Sequence, residues 1–207
     1  MVRKILPMLL VLIGLSLTAC GEYGKVEQGR TVAYDTTTTP ATAWIIQDAD
    51  TIPNQPKYTV LPAHPFTIPA DPAEMGQVPH VGLRMKLDVD KKIITMYNPR
   101  TKQFDELPFE VVERHDNVSA RKQHPLVYDS ATRKERPFPV VKSEDQTITI
   151  YSRRQEMLAT IKLSPEDFAK YGEKDWDAGD EVRVYYKEPG KSLRFMNVTR
   201  TDFSKRK

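Results

Sequence analysis

The feature that most limits what this chain can become is alternation. Leu83, Met85, Leu87 and Val89 are apolar, and Arg84, Lys86 and Asp88 sit between them. Val182, Val184 and Tyr186 alternate in the same way with Glu181, Arg183 and Tyr185. A period of two puts one face of a strand in a core and the other in water. Further strands are predicted at Thr31 to Tyr34, Thr42 to Gln47, Ile93 to Tyr97, Leu107 to Val112, Val140-Val141, Thr147 to Tyr151, Leu158 to Leu163 and Leu193 to Val198. Sixteen prolines argue against a helical bundle, because each removes a backbone donor and clashes with the preceding turn. Seven of them lie between Pro53 and Pro79. That stretch reads as an extended connector with one strand, around Phe66-Thr67-Ile68. Two short helices are predicted. Asp71-Pro72-Ala73-Glu74 opens one with an N-cap and a proline at the first position, and Ser164-Pro165-Glu166-Asp167 opens the other.

The first residues have a different logic. Arg3 and Lys4 precede an apolar run from Ile5 to Leu17. That run is shorter than the roughly 20 residues needed to span a bilayer, and has the flanks of a secretory leader. It ends at Leu17-Thr18-Ala19-Cys20, and Cys20 is the only cysteine. This stretch resembles the lipobox of bacterial lipoproteins. The resemblance implies cleavage after Ala19, a diacylglyceryl group on the Cys20 sulfur and acylation of the new amino group. Two or three acyl chains hold a protein on a membrane where one does not. A glycine rather than an aspartate follows Cys20, which by resemblance to enterobacterial sorting favours the outer membrane. The expected location is therefore a cell membrane or outer membrane, lipid-anchored and facing the extracytoplasmic space. Acylation would leave no free thiol, so packing alone must stabilise the body.

Charge narrows the partners. The 31 basic residues oppose 28 acidic ones, and Arg3 and Lys4 leave with the leader. A nearly neutral mature chain argues against a nucleic-acid binder. The expected partners are the membrane, through Cys20, and another envelope protein.

The expected organisation is a leader (1–19), a tether (20–28), an N-terminal β module (29–113), a linker or long loop (114–137), a C-terminal β module (138–200) and a basic tail (201–207). Residues 114–137 carry six basic and three acidic residues with no clear period. The two halves run in parallel: strands, a short helix, then a glycine before an alternating pair. The fold class is therefore mainly β, as two tandem five-stranded barrel modules with one short helix each, which resembles the OB-fold. A competing alignment sets Ile94-Thr95-Met96-Tyr97-Asn98 against Ile148-Thr149-Ile150-Tyr151-Ser152, and starts a middle module near Leu83. Trp176 to Tyr186 and Leu193 to Asn197 resemble an uncharacterised bacterial lipoprotein family defined by sequence, one that implies no catalytic or binding residues.

The motifs for chemistry are sparse. His64, His80, His115 and His124 are scattered, with no i, i+4 pair and no cysteine to join them. No metal ligands, cofactor or catalytic residues are assigned. Met75, Met85, Met96, Met157, Met196 and Trp176 are residue types that hold Cu(I), yet methionines in strand patterns more often fill core gaps. The chain has no Gly-x-Ser-x-Gly elbow, and the pairs Asp48/Asp50 and Asp177/Asp180 fall in turns, where aspartates cap backbone amides. The best binding surface is the wet face of the second half: Arg183 and Tyr185, joined across strands by Tyr151 and Arg194. The expected function is a non-catalytic, membrane-anchored lipoprotein that scaffolds or binds another envelope component. The alternative is a lipoprotein that binds a small ligand or a copper-type metal.

Overall fold

The computed structural model describes residues 23–50 and 55–201. The leader, Cys20 and residues 202–207 lie outside the described residues. The body is mainly β. In chain order the strands are β1 (Lys25–Asp35), β2 (Thr42–Asp48), β3 (Tyr58–Thr67), β4 (Arg84–Asp88), β5 (Ile93–Asn98), β6 (Gln103–Pro108), β7 (Glu110–His115), β8 (Tyr128–Asp129), β9 (Lys134–Glu135), β10 (Val140–Lys142), β11 (Thr147–Ser152), β12 (Met157–Lys162), β13 (Glu181–Tyr186) and β14 (Ser192–Asn197). One four-residue helix, α1 (Pro165–Phe168), follows β12. Among the described residues no helix is long and apolar enough to cross a membrane.

The strands form several antiparallel sheets. The largest has the order β14-β13-β1-β2-β3; the others are β10-β11-β12-β7, β4-β5-β6 and the small pair β8-β9. Strand pairing therefore crosses the boundary expected at residues 114–137. β1 lies beside β13, with Lys25 opposite Tyr186 and Arg30 opposite Glu181, and β7 lies beside β12. The two halves are not tandem five-stranded units. The first three strands complete their sheet with the last two, and everything between is inserted. Local pattern fixes which residues form strands, but pairing between strands so far apart leaves no local signal.

The five-stranded sheet is buried on both faces over part of its area. Ile45 and Ile46 are adjacent on β2, and both are fully buried. Ile46 enters a central core with Val32 and Tyr58, to which the three-stranded sheet adds Met85, Leu87, Ile94 and Met96, and the four-stranded sheet adds Ile148, Ile150 and Ile161. Ile45 enters a second core with Ala43, Phe66, Val182, Val184 and Phe195. The sheet curls around this second core. Its edges touch at a single parallel bridge, Thr67 to Lys191, and it does not close into a barrel.

The expected short helices are one turn each. Asp71 caps a 3-10 turn (Pro72–Glu74) by accepting from the Ala73 amide at 2.8 Å. Ser164 caps α1 by accepting from the Asp167 amide at 3.1 Å. Beyond α1, Trp176 is fully buried and stacks on Phe168 at 5.6 Å, with Tyr171 edge-on at 5.4 Å. Burial of such a ring contributes about 5 kcal/mol of transfer free energy.

Several expectations shift at their boundaries. β1 starts at Lys25, inside the stretch expected as tether; its Glu27 is buried against His64, with Oε1 2.7 Å from Nδ1, so a polar sequence still forms strand. β3 is a ten-residue edge strand that accommodates Pro62 and Pro65, as an edge permits. Residues 114–137 are not an unpacked linker. Val118, Ala120 and Val127 form a small core with Leu158, at a spacing that matches no regular element. The competing alignment is the one the strands follow. β4-β5-β6 and β10-β11-β12 are similar meanders, with left-handed residues at matching places: Lys92 and Lys102 (φ 55° and 57°), then Gln146 and Glu156 (φ 53° and 47°).

Three backbones meet at one crossing. The Thr31 amide donates to the Asp180 carbonyl at 2.9 Å, and the Leu83 and Arg84 amides donate to the Asp175 and Asp177 carbonyls at 3.0 Å each. A Cβ on Gly179 would overlap the Thr31 carbonyl, and one on Gly82 would overlap the Asp177 carbonyl. Only glycine permits this approach. Gly179→Ala is predicted to lower unfolding free energy by about 2–4 kcal/mol in urea titrations. Gly172→Ala, whose Cβ would meet only the Asp175 carboxylate, should change it by less than about 1 kcal/mol.

Candidate functional site

The face of the large sheet that carries Ile46 is not covered evenly. Toward β2 it lies under the central core. Toward β13 and β14 it opens to solvent, and two cross-strand rows line the opening. One row is Val26, Tyr185 and Arg194; the other is Gln28, Arg183 and Met196. All of these but Gln28 line an open groove of about 530 Å³, walled by Glu74 and Leu193.

Each wall has a local cause. Val182, Val184 and Phe195 are fully buried on the opposite face, so alternation sends Arg183, Tyr185 and Arg194 outward. Leu193 breaks this rule. The register slips between Tyr185 and Tyr186, which makes Leu193 a bulge residue, and bulges re-aim side chains. It is 47% exposed, and Val26 is 62% exposed. The β13–β14 turn, Glu188-Pro189-Gly190-Lys191, has Gly190 at φ 78° and the Lys191 amide donating to the Glu188 carbonyl at 3.1 Å. That is the left-handed position a Pro-Gly turn requires.

The two arginines are held differently. Arg194 forms a two-pronged ion pair with Glu74 through Nε and Nη2, the latter donating to Oε1 at 3.0 Å. The pair depresses the Glu74 carboxyl below its ordinary range and raises the Arg194 guanidinium. Arg183 donates from Nε and Nη2 to the Gln28 amide oxygen at 3.1 and 2.8 Å. A neutral acceptor orients the guanidinium, and the same Gln28 amide donates to Glu181 Oε1, so Arg183 is held through an amide rather than by a direct ion pair.

Of the four residues expected to line a binding face, Arg183, Tyr185 and Arg194 share this groove. Tyr151 lies elsewhere, on β11. Its hydroxyl accepts from the Ala120 amide at 2.9 Å, and its ring lies 5.9 Å from Phe138, so it supports the 118–127 loop. Cys20 lies outside the described residues. Val26, Leu193, Met196 and Glu74 also line the groove; the sequence assigns Met196 only to the methionines of copper-type or core-filling chemistry and Glu74 only to a helix start, and it assigns none of the four to this face. Strand alternation could have flagged Met196, but nothing local signals the bulge at Leu193 or the reach of Glu74.

Other polar clusters hold the fold. Asp180 is buried; its Oδ2 accepts from the His80 amide at 2.7 Å, Asn197 Nδ2 at 2.8 Å and Arg200 Nε at 2.8 Å. It ties β13 to the chain before β4 and to the end of β14. Arg30 Nη1 donates to the Arg84 and Met85 carbonyls at 3.1 Å each, and its guanidinium lies 4.0 Å above the Tyr58 ring. Burial pushes the Arg84 guanidinium down to about 10. A second hollow of about 480 Å³ is lined by Lys86, Asp88, Asp90, Arg114 and Asp116, where Arg114 bridges Asp90 at 2.8 Å and Asp116 at 3.0 Å. Among the described residues no three His, Cys, Asp or Glu side chains are grouped as metal ligands. Met85, Met96 and Met157 lie in the central core, and Met75 packs against the second core.

The Glu74–Arg194 pair makes stability pH-dependent with a definite sign. A carboxyl depressed in the folded state stabilises above its unfolded value and loses that effect as pH falls through the folded value. Glu74→Gln should therefore be less stable than the parent protein at pH 7, with the difference shrinking as pH falls below the ordinary carboxylate range and the carboxyl takes up its proton. Urea unfolding at pH 7 and across the acid range measures it.

No curated protein and no solved structure matches the chain. A family model described as Domain of unknown function (DUF4881) matches residues 22–206. That match includes every strand and both walls of the groove, and the chain belongs to this family.

Proposed function

We propose that this protein is a lipid-anchored, non-catalytic β module of the cell envelope, and that the β1–β13–β14 groove contacts another envelope component. The observation that carries the reading is the lipobox-like Leu17-Thr18-Ala19-Cys20, with β1 opening at Lys25, only five residues after the cysteine. The groove lies at the start of that strand, so its exposed apolar residues sit beside the chain leading to the acylated residue.

The strand order supports a finer statement about the fold. A five-stranded sheet in the order β3-β2-β1-β13-β14, with its edges meeting in parallel, is similar to one partly open OB-like unit. On this reading both ends of the chain build the unit, and residues 84–176 are its insertion.

Intact mass and fractionation test the proposal. The mature protein should begin at residue 20, carry the mass of two or three acyl chains and sediment with membranes. Cys20→Ser should lose the acyl mass and at least nine-tenths of the membrane-bound fraction. An unmodified parent mass, or unchanged fractionation of Cys20→Ser, would overturn it.

A further inference from the structure

We propose that the groove on β1, β13 and β14 rests on the headgroup layer of an anionic bilayer, the same bilayer that holds the Cys20 acyl chains. The inference depends on the proposed acylation and adds to it an orientation of the body.

Covalent reach is the first argument. Four residues lie between Cys20 and Lys25, which makes five Cα-to-Cα steps, and a fully extended chain covers at most about 3.3–3.6 Å per step. The Cα of the first residue of β1 therefore lies within about 18 Å of the Cys20 Cα. A headgroup layer is several ångströms thick, and charge is felt about 8 Å beyond it at physiological salt. The groove begins at Val26, the second residue of β1.

The exit path is the second argument. Gly24 lies against the Tyr185 ring so closely that a Cβ there would overlap it. The chain running back toward Cys20 thus passes over the aromatic residue of the groove. Tyr23, the residue before it, is 95% exposed. Gly24 therefore lies on the groove's side of the body.

Surface chemistry is the third. Val26 and Leu193 are exposed apolar side chains that water does not favour, and Tyr185 adds an amphipathic ring of the kind found at headgroup depth. Arg183 turns a guanidinium to the same face, held by the Gln28 amide rather than by a direct ion pair, and Glu181 stands on the other side of that amide. Lys187 follows the end of β13, and Lys25, opposite Tyr186, begins β1 on the other face of the sheet. Arg194 and Glu74 neutralise each other. Each uncompensated cation near an anionic leaflet adds about 1 kcal/mol of attraction. A protein partner would need a complementary acidic surface; the bilayer is already within reach.

A nitroxide tests this. With Cys20 acylated, Leu193→Cys carries the one free thiol of the mature chain. The full mature protein is reconstituted in phosphatidylethanolamine–phosphatidylglycerol vesicles, and collision rates are measured with oxygen and with a water-soluble nickel chelate. The label at Leu193→Cys is expected to show an oxygen-to-nickel ratio at least threefold higher than a label at Val112→Cys, which is exposed on β7. Val26→Cys repeats the measurement should Leu193→Cys fold poorly. Charge reversal by Arg183→Glu should lower the ratio at least twofold. Equal ratios at the two label sites on acylated protein would overturn this inference and leave the anchor standing. An intact mass without acyl chains would overturn the anchor. A groove watery in vesicles but protected in cells would assign it to a protein instead. A ratio unchanged in purely zwitterionic vesicles would overturn the anionic requirement.

Discussion

The structure depends on a crossing where three backbone segments touch with no side chain between them. Thr31 on β1, Gly82 before β4 and Gly179 before β13 come together there. The contact sets β1 between β2 and β13, and so joins the first strands of the chain to the last. It also fixes where the inserted sheets stand, because the chain enters them through Gly82 and returns through Asp177 and Gly179. Asp180 holds the same place by side-chain bonds, accepting from His80, Asn197 and Arg200. A buried carboxylate with several donors is stable only where those donors stay aligned. The glycines set the distance and the aspartate sets the register.

From this crossing the two faces of the large sheet acquire different fates. The inserted sheets cover one end of the Ile46 face, and Trp176 fills the space beneath them. They do not extend past Arg30. Along that face of β1 the side chains pass from Arg30, under the core, through Gln28 to Val26 in the open. The groove is the uncovered remainder of a core-facing surface. That origin explains why apolar residues and arginines share it. Arg30 shows the buried version of the same chemistry, its charge placed over the Tyr58 ring and its donors on carbonyls.

Local features were legible in the sequence. Alternation locates β4 and β13, a run of strand-forming residues locates β14, and the Pro-Gly turn and both capped helical turns stand where their residues place them. Arg183 and Tyr185 are legible for the same reason, since alternation says which residues face water, and Arg194 joins them as the cross-strand neighbour of Tyr185. Pairing was not legible. The similarity of the two halves is real for β4-β5-β6 and β10-β11-β12, but it cannot reveal that β1 closes against β13. Tyr151 joins the arginines only if β11 neighbours β13 or β14, and it lies in another sheet. Leu193 depends on a bulge and Glu74 on a contact far along the chain, and neither leaves a pattern within a few residues. Lys25 to Gln28 looked like tether because its buried member, Glu27, is stabilised by His64 on β3.

Native-state amide hydrogen exchange tests most directly whether both ends of the chain form one body. The amides of Thr31, Leu83 and Asp180 hold the crossing together. If the crossing governs the fold, they exchange only by global unfolding, at one common free energy shared with Ile94 and Ile150 in the central core. Exchange of β13 and β14 at a distinctly lower free energy, with β1 and the central core still protected, would show a C-terminal unit folding on its own and would contradict this architecture.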